Sequence, residues 1–171
     1  MKCTSTRFVI FFCWTYPGFH IHLFSAVPII DLAFAISSNA PGSEQNFKKI
    51  KDAIDFIIRQ FGADRIRYAV IRFGASSFGD ITFQGVQTVD QLRVQIDQLP
   101  RASGVPNLKE MLKKVKTVFD QATERPGAKR FLVVIMDTKS NSSPKDVTKE
   151  AESIEKDGIK VRHFGIFSDG Y

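Results

Sequence analysis

The stretch Ile29 to Ser43, IIDLAFAISSNAPGS, constrains the fold most, because an almost unbroken apolar run stops abruptly in small polar residues. Six of the eight residues from Ile29 to Ile36 are aliphatic or alanine, and a seventh is Phe34. A run without alternation predicts a strand buried on both faces, as in the middle of a parallel sheet. The loop that follows leads into an amphipathic helix, and in open α/β sheets ligands sit in the crevice outside the carboxyl ends of central strands. Ser37, Ser38 and Asn39 are therefore candidate ligand-binding residues.

The rest of the chain alternates strands and helices. Phe47, Ile50, Ile54, Ile57, Ile58 and Phe61 recur at three- and four-residue steps, which predicts a helix over Glu44 to Phe61 with Ser43 as its N-cap. Arg65 to Phe73 reads as a partly buried strand, Gly74 to Asp80 as a turn, and Ile81-Thr82-Phe83 as a short return strand that must be antiparallel. Helices are expected over Thr88 to Leu99 and Asn107 to Ala122, the second with Lys109, Lys113, Lys114 and Lys116 on a solvated side. Lys129 to Met136 is a second strongly apolar strand that runs into Asp137, a further candidate ligand-binding residue. A helix from Pro144 to Lys156 and a strand from Ile159 to Phe167 complete the pattern. The expected fold class is α/β, an open, mostly parallel, doubly wound sheet with one short antiparallel edge strand. Its two central strands bring the loops after Ser37 and Asp137 side by side.

Residues 1 to 27 differ from everything after them. Lys2 and Arg7 precede an apolar block, Phe8 to Trp14, and no acid occurs before Asp31. This is the layout of a secretory signal, although Pro17, His20 and His22 interrupt it and Phe24 stands where cleavage after Ala26 wants a small residue. An uncleaved membrane anchor over residues 8–27 and a misplaced start are the alternatives. The domain proper spans residues 28–171 and carries 22 basic against 18 acidic residues, a net +4 that is too mild to argue for nucleic acid. Composition is that of an ordinary globular protein, with no membrane span expected in the folded domain. Cys3 and Cys13 both precede it, so no disulfide, cysteine metal site or thiol nucleophile is expected in the fold. The pair His20 and His22 lacks a third ligand and is not read as a metal site.

In this order and spacing, DLAFAISSNAPGSEQNF, RYAVIRFG, SGVPNLKEML, FLVVIMDTKS and VRHFGIFSDG resemble the von Willebrand factor A domain, which has a Rossmann-like fold. The resemblance covers Pro28 to Tyr171 and lacks the family's usual last strand and closing helix. It implies an adhesion-type function. Members typically carry a metal ion-dependent adhesion site made of Asp-x-Ser-x-Ser, a threonine in a second loop and an aspartate in a third. On this chain the first aspartate falls on Ser37, the two serines on Asn39 and Pro41, and the threonine on Pro106; only the last is kept, as Asp137. Two prolines without side-chain oxygen and a single carboxylate offer too little to a hard cation such as Mg²⁺. The expectation is therefore no metal and no cofactor.

The leading reading is a secreted, non-enzymatic protein-binding module whose partner is an extracellular matrix or cell-surface protein. A structural assembly module without a ligand site is one alternative. The other is an α/β enzyme or nucleotide binder that uses the same crevice, but the first loop holds only Gly42 and no phosphate-cradling glycine pattern. No catalytic residue can be named: His163, the only histidine after the leader, has no evident base-orienting partner. Asn141-Ser142-Ser143 is an N-glycosylation acceptor that would place a sugar beside the crevice if the protein is secreted.

Overall fold

The computed structural model describes residues 28–37, 39, 44–85, 87–137 and 139–165. The leader, its histidines and cysteines, Ser38, the predicted cap Ser43, and residues from 166 onward lie outside the described part, as does the side chain of His163. The elements are β1 (Ile30–Ser37), α1 (Glu44–Phe61), β2 (Ile66–Phe73), β3 (Ser77–Ile81), α2 (Val89–Asp97), α3 (Leu108–Asp120), β4 (Lys129–Met136), α4 (Pro144–Lys156) and β5 (Ile159–Gly165). The strands form one sheet in the order β3-β2-β1-β4-β5, parallel except for the β2–β3 pair. The expected architecture is thus the observed one.

The apolar run explains why β1 is central. Side chains alternate between the two faces of a strand, so Ala33 and Ala35 join a core with Met111, Val115 and Phe119 of α3 and Ile154 of α4. Phe34 and Ile36 join a second core with Ile50, Ile54 and Ile58 of α1 and Leu92 and Ile96 of α2. Small residues toward one layer and large ones toward the other let both helix pairs seat on one strand. Each large side chain buried there contributes roughly 1.5–3 kcal/mol.

Several local expectations are corrected. β3 begins at Ser77, four residues before the predicted return strand, because the turn needs only Gly74 to Ser76, closed by a Gly74 N–H to Ser76 carbonyl bond of 2.9 Å. Phe83, read as strand, is a buried core residue whose ring stands 4.8 Å from that of Phe119. β2 is more deeply buried than its sequence suggests, with every residue from Tyr68 to Phe73 inside, including Arg72. The Arg72 guanidinium makes two bonds of 2.7 Å to Asp80 across the hairpin. Phe61, assigned to the apolar stripe of α1, is 68% exposed at the end of that helix. The solvated side of α3 also carries ion pairs: Lys109 meets Asp146 and Lys116 meets Asp157, linking α3 to the α4 region, while Lys113 meets Glu110.

One charge inside the apolar run has a structural role. Asp31 is 2% exposed, and Arg67 of β2 grips both its oxygens at 2.9 and 2.8 Å while Arg125, just before β4, adds a bond of 3.1 Å. The same guanidiniums reach the carbonyls of Thr123 and Arg65. Removing the carboxylate leaves two poorly solvated cations, which costs about 3–5 kcal/mol. Asp31→Asn is expected to lose that much stability in urea unfolding, and a loss under about 1 kcal/mol would contradict this role. Tyr68 is buried and donates to the Gly62 carbonyl at 2.9 Å, and burial pushes its hydroxyl pKa up from 10.0 to about 12. The unfolded chain ionises first, so stability is full below about pH 10 and falls as pH rises toward 12. Tyr68→Phe is expected to flatten that decline in equilibrium unfolding measured across the range.

Candidate functional site

Three loops meet at the carboxyl ends of the central strands. The register that sets Ser37 against Met136 puts the residues following β1 and β4 side by side. Asn39 occupies the space between them. Its backbone N–H donates to Asp137 Oδ1 at 3.0 Å, and its Nδ2 donates to Ser37 Oγ at 3.2 Å and to the Gly104 carbonyl at 2.8 Å. A carbonyl only accepts, so Gly104 fixes which end of the amide is NH₂. One residue therefore joins the first loop to the second and the third. Asn39 Oδ1 is buried and finds no partner among the described residues. Ser37 is buried, whereas Asn39 and Asp137 are half-buried.

The second loop is assembled from two segments far apart in sequence. Ala75 N–H donates to the Ser103 carbonyl and Asn107 N–H to the Gly74 carbonyl, both at 2.9 Å. These segments touch so closely at Gly74 that a Cβ there would lie 2.1 Å from the Ser103 oxygen and 3.0 Å from Asn39 Nδ2. Gly104 holds φ at +78°, a left-handed conformation glycine adopts without strain, with its Cα against Ala75. Pro106 is buried, and its carbonyl accepts from Ser140 Oγ at 2.9 Å and from Asn141 N–H at 3.0 Å.

The third loop is stitched on by serines. Ser140 Oγ accepts from Leu108 N–H and Ser142 N–H, while Ser142 Oγ accepts from Lys109 N–H and donates to Asn107 Oδ1. Asn107 in turn caps α3 through a bond from Glu110 N–H. The orphan amides at the start of α3 are thus satisfied from loop side chains rather than left for an anion. Asn141 is exposed, and the Ser143 side chain makes no cap bond to α4.

The structure brings Ser37, Asn39 and Asp137 together as the sequence suggests. Gly74, Gly104, Ser140 and Ser142 complete the cluster; the family resemblance brings the second loop to the site through Pro106, but nothing in the local pattern says that Ser103 packs on Gly74 at the end of β2. Among the described residues Ser37, Asn39 and Asp137, the side-chain oxygens at the centre are one carboxylate, one hydroxyl and one amide carbonyl. Among the described residues no group of three or more His, Cys, Asp or Glu could hold a metal ion. A cavity of about 620 Å³ lies elsewhere, between β3 and α2, lined by Asp80, Gln87, Gln91 and Leu92. Its Asp80 is already engaged by Arg72, and Gln87 pairs with the Tyr68 backbone like a strand residue.

Together, fold and site define an open α/β domain with a hydrogen-bonded loop face at the carboxyl ends of its central strands. The chain belongs to the family of the von Willebrand factor type A domain, whose sequence profile matches residues 31–171. Solved structures agree on the fold. Proximal thread matrix protein 1 from the mussel byssus, in a form with a zinc occupied MIDAS motif, superposes with a TM-score of 0.69 at 17% identity. The match covers 81% of this chain and 36% of that one. The manganese-loaded TRAP protein of Plasmodium vivax gives 0.67 at 16% identity, covering 81% and 57%. BatB from Bacteroides thetaiotaomicron gives 0.62 at 19%, covering 80% and 65%. This chain therefore spans little more than a third of the mussel protein and less than two thirds of the other two.

The stitching at Gly74 yields a sharp expectation. Gly74→Ala must push Ser103 away, so amide exchange at Ala75 and Asn107 should accelerate by at least tenfold while Ala33 to Ala35 in β1 stay protected. Unchanged exchange at both loop amides would mean that the two segments are not held through this contact.

Proposed function

We propose that the loop face is a protein-binding surface that works without a divalent cation, in a non-enzymatic module that acts outside the cell. The observation that carries this reading is the Asn39 carboxamide. It occupies the centre of the three loops and directs N–H bonds at Ser37 Oγ and the Gly104 carbonyl. A hard dication needs several oxygen ligands in near-octahedral array. Here one hydroxyl faces an amide donor, Asp137 accepts from a backbone N–H, and the positions at Pro41 and Pro106 have no side-chain oxygen. The residues present do not fit such an ion.

Family membership supports the interaction role, since von Willebrand factor A domains commonly mediate protein interactions and adhesion. The basic, apolar, acid-free layout of residues 1–27 supports secretion. Among the described residues no helix is long and apolar enough to cross a membrane. Asn141 is exposed, and Ser143, the hydroxyl residue of its acceptor motif, makes no side-chain cap bond to α4, which suits an accessible glycan acceptor at the rim of the loop face. A sugar there leaves room for a narrow contact rather than a broad one. The nucleotide-binding or enzymatic alternative finds no phosphate-cradling glycine loop and a crevice centre already filled by Asn39.

Calorimetric titration with Mg²⁺ and Mn²⁺ is expected to give no binding tighter than about millimolar, or ~4 kcal/mol. Lys139 is exposed on the third loop, two residues after Asp137; retention on immobilised matrix proteins is expected to survive chelation with EDTA and to fall with Lys139→Glu. Tighter metal binding overturns cation independence, and failure of every matrix protein to retain the domain favours a purely structural assembly unit.

A further inference from the structure

β3 is an edge of the sheet, bonded to β2 on one side. Among the described residues no backbone bond reaches Ser77 to Ile81 from the outer side. Edge strands are commonly guarded by lysine, proline or a covering element, and the β3 sequence SFGDI carries neither residue. Its register contains one shift: Gly79 stands opposite Ile71 and Ile81 opposite Val70, so Asp80 is an extra residue with no partner on β2. The Asp80 carboxylate is turned back onto Arg72 at 2.7 Å and its side chain is 19% exposed, yet the residue as a whole is classed among the exposed ones. What Asp80 shows to solvent is therefore mainly main chain. A main chain exposed along a strand edge is a row of donors and acceptors that another extended backbone matches. Gln87 meets the same demand inside the molecule. Beyond Ile81, where β3 stops, its carboxamide accepts from the Tyr68 N–H at 2.8 Å and donates to the Tyr68 and Thr82 carbonyls at 2.7 and 2.9 Å. A side chain thus closes the edge of β2 past Ile81, and the outer edge of β3 remains the open ladder on this side of the sheet.

Beside that edge lies the cavity of about 620 Å³, shared between β3 and α2. Among the described residues that line it are Asp80, Asp90, Gln91 and Gln95, and no lysine or arginine. Asp80 is neutralised by Arg72, which leaves Asp90 to set the charge. The Asp90 side chain is 93% exposed, and its ion-pair partner Arg93 stands 3.8 Å away while held at 2.8 Å by Asp55. Apolar contact is at hand from Val94 on the cavity wall, 56% exposed, and from Phe78 of β3, 47% exposed. We propose that the outer edge of β3 takes an extended, basic segment of a partner protein as an added strand. Its backbone pairs along Ser77 to Asp80, and a lysine or arginine of the segment meets Asp90. A second copy of β3 fits less well, because it brings another Asp80 and no basic residue. This surface is separate from the loop face at the carboxyl ends of β1 and β4, and the proposal does not rest on that reading.

The test is a displayed library of linear twelve-residue peptides selected against the whole chain, with the clones remade as synthetic peptides. Bound peptide is expected to slow amide exchange at least tenfold within residues 77–81. Only every second residue of an added strand turns its N–H and carbonyl toward β3, so N-methylating alternate peptide residues is expected to abolish binding in one parity and spare it in the other. Both readouts use the parent protein and do not depend on the fold of a variant. Asp90→Asn is expected to weaken the peptides at least threefold and to reduce the salt dependence of binding, whereas Lys139→Glu on the loop face is expected to leave them unchanged. A selection that yields no binder, protection confined to other elements, or binding that survives N-methylation in both parities overturns the proposal; none of these touches retention on matrix proteins, which decides the loop face by itself. Peptides indifferent to Asp90→Asn overturn the basic character of the partner. Exchange within β3 that slows with protein concentration in the absence of peptide makes a second copy the occupant and overturns the proposal as well.

Discussion

A strand with no wet side has to be enclosed on every side, and that requirement on β1 organises the molecule. Both edges of β1 must carry backbone partners because an unpaired buried N–H or carbonyl is costly. β4 supplies them from Ile30 to Ser37, and β2 from Ile30 to Ile36. Both faces must carry helices, and the parity of the strand sends Ala33 and Ala35 to α3 and α4 and sends Phe34 and Ile36 to α1 and α2. The two ends of β1 are where this apolar logic stops, and each is cross-linked by a polar residue. Asp31 ties the amino end to Arg67 and Arg125, and Asn39 ties the carboxyl end to Gly104 and Asp137.

This division explains what could be read from the sequence and what could not. Strands and helices follow hydrophobic periodicity, a local property, so β4 and α4 agree with expectation to the residue. The meeting of Ser37, Asn39 and Asp137 was also legible, because a parallel sheet with two adjacent apolar strands leaves their loops nowhere else to go. Partners at long range were hidden. Asp31 lies inside the run that marks β1, yet nothing local says that arginines 36 and 94 residues away converge on it. The same holds for Gly74 and Ser103, whose contact depends on how α2 returns the chain. The capping box in which Thr88 and Gln91 exchange bonds at the start of α2 is, by contrast, a local signal, Thr-x-x-Gln. The early start of β3 went unread because glycine, serine and aspartate favour turns, while Arg72 crossing the hairpin to Asp80 favours pairing.

Part of the basic surface is neutralised by acids on neighbouring elements. The basic side of α3 would look like a docking patch on a helical wheel, but α4 and the turn after it bring Asp146 and Asp157 against Lys109 and Lys116. Such exposed pairs add little stability, with a median of ~0–1 kcal/mol each. Their consequence is electrostatic: the surface over α3 and α4 carries less field than the +4 of the folded part suggests. Long-range steering of an acidic partner is correspondingly weak there.

The cross-link at the top of β1 differs in kind from an ion. A metal held by loop oxygens is exchangeable and adds positive charge, so a face built on one can recruit a carboxylate. An amide belongs to the chain, adds no net charge, and directs its N–H groups at the protein's own hydroxyl and carbonyl. Once those bonds are made, Ser140, Ser142 and the Asn107 side-chain oxygen are likewise engaged within the chain, while Ser103, Lys139 and Asn141 stay exposed at the rim. Loops held this way are ordered in advance, and a side chain ordered before binding spares roughly 0.5–1.5 kcal/mol when a surface docks. The residues that remove the oxygens and those that hold the loops still are partly the same. Pro106 offers no side-chain ligand, yet its carbonyl anchors the third loop and its ring fixes the backbone of the residue before it.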